Sequence, residues 1–149
     1  MALNPTSGLL VYTDGAYSPK GPGGWAWVAV DIDGNEEHSS GNVPPPTTNN
    51  RMELIAVYSA LDDLHNQYGP CELEIVSDSS YAVLGATYPE RARNVNQDLW
   101  DRVEAGIAKH RHVQFRHIRG HVGVKYNELA DTLAVEAKRK SKWQPPIIR

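Results

Sequence analysis

The sequence predicts an α/β fold: a mixed five-stranded sheet, three antiparallel strands and then parallel strands, flanked by helices. Three observations predict it. Three strand-like runs separated by turn signals fill the first third. From Arg51 onward, helical spacing alternates with short strand patterns, and that alternation implies parallel neighbours. The chain is 149 residues long, which suits a single domain with a real core, read as about residues 8–140 with a tail at 141–149.

The elements follow in order. LLVYTDGAY reads as a strand closed by Asp-Gly, and SPKGPGG as a Gly/Pro loop. Trp25 to Ile32 is a second strand. Asp33 to Asn35 is a turn, and EEHSSGNV is a third, edge strand. After the loop PPPTTNN, residues Leu54, Val57, Tyr58, Leu61 and Leu64 recur at helical spacing from Arg51 to Leu64. Glu72 to Ser77 is a short strand and SSYAVLGA a short helix. YPERARNVN is read as loop. A helix follows with Leu99, Trp100, Val103 and Ile107 on one face. HVQFRHI is the last strand, RGHVG a loop, and KYNELADTLAVEAKRK the final helix. Trp25, Trp27 and Trp100 are assigned to packing. The basic run Lys138, Arg139, Lys140 and Lys142 suits a helix C-terminus.

Composition excludes several classes. No apolar run approaches the ~18 residues of a membrane helix. MALNPTSGLL lacks the basic start and long apolar stretch of a signal peptide. Cys71 is the sole cysteine, so no intrachain disulfide forms, and a cytoplasmic setting is expected. The net charge of −3 is opposite in sign to that of most nucleic-acid binders. Any contact with phosphates must then use local basic groups or bound cations.

Four acids carry the chemistry. Each has a plainer reading alone: Asp14 as a turn residue, Glu53 as the third residue of a helix capped by Asn50, Asp78 as an N-cap, Asp131 as a solvated face residue beside Glu128. Together they read differently. Asp14 and Asp78 lie at carboxyl ends of predicted strands, where sites form in such sheets. Glu53 opens the helix after the third strand, and Asp131 lies in the last helix. Clustered carboxylates repel, so they persist around a cation, and hard oxygen ligands select Mg²⁺ or Mn²⁺. His121, on the Gly-flanked RGHVG loop ten positions before Asp131, suits proton transfer to a leaving group. His38, His65, His110, His112 and His117 read as surface or strand residues.

The segments YTDGAY, TTNNRMEL, SDSSY, GHVG and NELAD occur in an order and spacing that resemble the type 1 ribonuclease H family. The resemblance runs from about Leu9 to Ala137, and TNNRMEL is its most specific segment. It implies a ribonuclease H-like fold and an endonuclease that hydrolyses the RNA strand of RNA–DNA hybrids with two Mg²⁺ ions, Mn²⁺ being an alternative. The products would carry 5′-phosphate and 3′-hydroxyl ends. By resemblance, Asp14, Glu53, Asp78 and Asp131 are the metal-binding carboxylates and His121 the mobile catalytic histidine. Thr48 and Asn96 are implied to form a phosphate pocket for the DNA strand, Asn49 to meet the minor groove and sugars, and Arg51 to add charge or brace the helix start. A monomer acting on the hybrid, without membrane attachment, is expected.

Three departures from the family pattern stand out. SPKGPGG differs from the usual Gly-Asn-Pro-Gly-Pro-Gly-Gly. A long basic protrusion is missing before Asn96, leaving only Arg91 and Arg93. The pattern begins by Leu9, so no preceding hybrid-binding module is expected, and low affinity and processivity follow. Two other functions fit such a fold: a hybrid-binding scaffold, and a nuclease for DNA duplexes or junctions. The four retained carboxylates argue against the first and the TTNN segment against the second.

Overall fold

The computed structural model describes residues 2–92, 94–119 and 124–140. Five strands, β1 (Leu9–Tyr17), β2 (Gly23–Val30), β3 (Glu36–Val43), β4 (Glu72–Ser77) and β5 (His112–His117), form one sheet in the order β3-β2-β1-β4-β5. The first three pair antiparallel; β4 runs parallel to both β1 and β5. Helices α1 (Asn49–Tyr68), α2 (Ser80–Thr87), α3 (Pro89–Ala92), α4 (Gln97–Ala108) and α5 (Lys125–Arg139) flank it. The mixed five-stranded sheet read from the sequence is therefore the observed fold.

Alternation along the strands divides the core between the two faces. Val11, Trp27 and Ile75 pack with Leu54, Leu61, Leu64, Trp100 and Val103 of α1 and α4. Tyr12, Val28 and Val76 pack with Ala130 of α5. Helix α1 is enclosed between the sheet and α4, which explains its unbroken buried run from Met52 to Val57. Trp27 donates its ring N–H to Asp63 at 2.9 Å, tying β2 to α1.

Four readings are corrected. Asp-Gly does not close β1, which continues to Tyr17 with Gly15 paired opposite Trp25. The second strand ends at Val30 rather than Ile32. There the Asp31 carboxylate accepts from the Asn4, Asp33 and Asn35 amides at 2.8–2.9 Å and turns the chain, leaving Ile32 exposed. YPERARNVN contains a helical turn, Pro89–Ala92, begun by a proline whose fixed φ suits the first helical position. His110 is buried. It accepts from Cys71 N at 3.1 Å through Nδ1, and Nε2 lies 2.8 Å from Leu61 O, which makes Nε2 the protonated nitrogen. Burial lowers its pKa.

Two glycines set the spacing around the sheet's carboxyl edge. A Cβ at Gly15 would meet Met52 C at 2.6 Å and Glu53 N at 2.7 Å. Only glycine lets the first turns of α1 lie this close to β1. A Cβ at Gly24 would fall on Ala134 O, so α5 rests directly on β2.

Candidate active site

The parallel pairing of β1 with β4 ends at Thr13 opposite Ser77. The next residues, Asp14 and Asp78, therefore emerge side by side from neighbouring strands. Gly15 admits α1, and α1 brings Glu53. One carboxylate oxygen from each of Asp14, Glu53 and Asp78 lies within 4.8 Å of the others. Asp131, on α5, lies close enough to bear on the ionisation of both Asp14 and Glu53. All four acids line one open cleft of about 520 Å³, with Asn49 and Asn50 at its rim.

The plainer roles of these acids belong to other residues. Thr48 caps α1: its backbone is extended and its Oγ1 accepts from Arg51 N at 3.1 Å. Arg51 is thus the third helical residue, Asn50 is already inside the helix, and Glu53 lies two positions beyond the capping turn. Ser79 caps α2 by accepting from Ala82 N at 3.1 Å, so Asp78 does not cap it. Asp14 does accept from its neighbour Gly15 N at 2.9 Å through Oδ1. Its Oδ2, however, is buried without a partner, as is Glu53 Oε1.

Burial is the main reason the pKa of Asp14 is raised far above the carboxylate range, with the Glu53 and Asp78 charges adding to it. Glu53 is raised by the same cause first, then by Asp78. Crowded, desolvated carboxylates resist ionising together. A hard cation reverses this, because it takes the unpaired oxygens as ligands and neutralises the charge. The donor set is all oxygen, and among the described residues no cysteine–histidine cluster accompanies it. The residues present fit a divalent cation of the magnesium type.

A second group lies along the tips of α1 and α4. Asn96 holds a left-handed conformation, φ 61°, immediately before α4. Its Oδ1 accepts from Arg51 Nη1 at 3.2 Å and its Nδ2 donates to the Tyr81 hydroxyl at 3.0 Å. Arg51 also grips Asp98 with two bonds, 2.8 and 3.1 Å. Arg51 therefore braces this corner, with Thr48 capping the same helix end.

Sequence reasoning missed Tyr81, whose hydroxyl also accepts from Trp100 Nε1 at 3.2 Å and donates to Val95 O at 3.2 Å. Its only sequence signal was a tyrosine at the start of a short helix. His117, read as a strand residue, places Nε2 3.2 Å from Asp78 O. His121, Arg93, Lys142 and the tail lie outside the described residues.

Comparisons with known proteins agree with this geometry. The RNase H family model matches residues 6–139. Ribonuclease HI of Caulobacter vibrioides is 37% identical over 149 residues, covering 91% of this chain and 96% of the relative. LC11-RNase H1, solved in complex with an RNA/DNA hybrid, superposes with a TM-score of 0.75 at 26% identity, over 89% of this chain and 97% of that one. RNase H1 of Halobacterium salinarum shares the fold, with a TM-score of 0.75 at 24% identity over 89% of this chain and 98% of that one. With this match and these relatives, the chain belongs to the RNase H family and is a ribonuclease H.

Proposed function

We propose that the protein is an endonuclease that hydrolyses the RNA strand of RNA–DNA hybrids, using two Mg²⁺ ions bound by Asp14, Glu53, Asp78 and Asp131. The observation that carries the reading is the convergence of one carboxylate oxygen from each of Asp14, Glu53 and Asp78 within 4.8 Å, with Asp14 Oδ2 and Glu53 Oε1 buried and without a hydrogen-bond partner. The cations, when bound, activate water and offset charge at the scissile phosphate. Asp14, Glu53, Asp78 and Asp131 would hold those ions from rigid strand ends and helix turns, so that little reordering of the ligands would be needed. His121 is assigned proton transfer to the leaving oxygen, giving 5′-phosphate and 3′-hydroxyl ends.

Thr48 and Asn96 are assigned to a phosphate of the DNA strand, and Asn49 to the minor groove. A hybrid presents a wide, shallow minor groove with exposed 2′-hydroxyls, which small polar side chains meet without reading sequence. Arg51 holds Asn96 in place. Among the described residues no helix is long and apolar enough to cross a membrane. Buried Cys71, a free thiol, supports a reducing, cytoplasmic setting, and we read the active form as a monomer.

The test compares Mg²⁺-dependent cleavage of an RNA–DNA hybrid, double-stranded RNA and double-stranded DNA, with analysis of the product ends. The reading predicts cuts in the RNA of the hybrid alone, leaving 5′-phosphates. Equal cleavage of the DNA duplex would contradict it.

A further inference from the structure

Among the described residues, six buried side-chain atoms have no hydrogen-bond partner. Such atoms are rare in folded chains, because a buried polar atom left unpaired loses its hydrogen bonds to water without replacement. Asp14 Oδ2 and Glu53 Oε1 belong to the carboxylate cluster, and Thr13 Oγ1 is their neighbour on β1. Glu37 Oε2 is remote, and its companion oxygen accepts from the Tyr68 hydroxyl at 2.7 Å. The remaining two are Nδ2 and Oδ1 of one residue, Asn127, which is only 1% exposed. The cation site does not account for them.

Asn127 is an unexpected choice for its position. It is the third residue of α5, on the face that continues through buried Ala130, Ala134 and Ala137. Asparagine is a mediocre helix former, and an apolar side chain would leave nothing unpaired there. Asp131 lies four residues further, one turn along the same side of the helix. The first turn of α5 is also fixed in place, since the Tyr126 ring packs on Tyr12, two residues before Asp14, with centroids 5.6 Å apart. A rigid carboxamide with a free donor and a free acceptor therefore sits one turn from a cluster acid.

We propose that Asn127 is a positioning residue for the carboxylate site: its buried carboxamide holds an ordered water that bridges to Asp131 and orders that carboxylate for cation binding. The inference rests on the proposed cation-binding role of the acids. An amide can donate to a water through Nδ2 or accept from it through Oδ1, and a carboxylate accepts, so the site offers the two or more polar partners that a buried water needs. Groups that hold a ligand's outer face commonly govern metal affinity as well as geometry.

The test uses the full chain and Mn²⁺ or Mg²⁺ alone. Asn127→Leu, which removes both unpaired atoms at similar volume, keeps or raises the metal-free Tm. It weakens cation binding about tenfold, by calorimetry or Mn²⁺ paramagnetic resonance, and lowers kcat with the hybrid KM unchanged. Asn127→Ala gives the same comparison on an alanine-lined face if the leucine variant does not fold. Unchanged cation affinity and kcat, or a fall in metal-free Tm with cation affinity intact, overturns the inference alone. Wild-type protein that binds neither cation overturns the reading of the acids and this inference with it.

Discussion

Arg51 on α1 and Asp98 on α4 form a two-pronged ion pair, at 2.8 and 3.1 Å, between the first turns of their helices. The pair raises the pKa of Arg51 and lowers that of Asp98, in each case chiefly through the hydrogen bonds between them. It is largely solvent-exposed on the Asp98 side, where water screens the charges, so it adds little to stability. Its main effect is to hold Asn96, which shares the same guanidinium. Asp98→Ala should leave Tm almost unchanged and raise KM for the hybrid several-fold with kcat nearly intact. Steady-state kinetics beside thermal unfolding check the split.

Gly15 makes a sharper prediction. A methyl group there meets the backbone of Met52 and Glu53, neither of which is a flexible side-chain end. Gly15→Ala should cost about 1–3 kcal/mol through overpacking. It should also displace Glu53 from Asp14 and cut kcat on the order of 100-fold, as about 1 Å of misplacement can. Measuring Mg²⁺ affinity at a temperature where the variant is folded separates the two effects.

The same residue shows what was legible in the sequence. Asp-Gly reads as a turn because the pair is common in turns; that Gly15 lies in a strand and admits a helix depends on a neighbour 38 positions away. The strands and long helices were legible through periodicity, and β4 was read at its observed bounds. The convergence of the acids was legible because strand ends share one edge. The caps were misread by one or two residues: serine, threonine, asparagine and aspartate all suit an N-cap, and only backbone geometry chose Thr48 and Ser79. His110 was invisible because both its partners are backbone atoms distant in the chain.

His110 predicts an acid-sensitive fold. Its folded pKa is lowered, so the unfolded chain binds the extra proton more readily. The stability it contributes is present above about pH 6.5 and is lost as pH falls through the folded value. His110→Ala should cost about 2–3 kcal/mol by orphaning Cys71 N and Leu61 O, and should flatten the acid limb of stability. Denaturant unfolding across pH measures both.

The acids predict the opposite slope. Asp14 and Glu53 have raised folded pKa values, so the metal-free fold binds protons that the unfolded chain releases. That contribution is full below the ordinary carboxylate range and is lost as pH rises through the raised values. Mg²⁺ should therefore stabilise the protein more at alkaline than at acid pH, with proton release on binding. Asp14→Asn should raise the metal-free Tm at alkaline pH and remove most of the Mg²⁺ response. Thermal unfolding with and without Mg²⁺ across pH reads both slopes.

The most direct measurement of the central claim is cleavage of the RNA strand of a hybrid by Asp78→Asn in Mg²⁺, with folding verified by its Tm. The site predicts a loss on the order of 1,000-fold in kcat, because one ligand of a crowded cation site loses its charge. Near-normal cleavage by the folded variant would contradict the assignment of these carboxylates to the reaction.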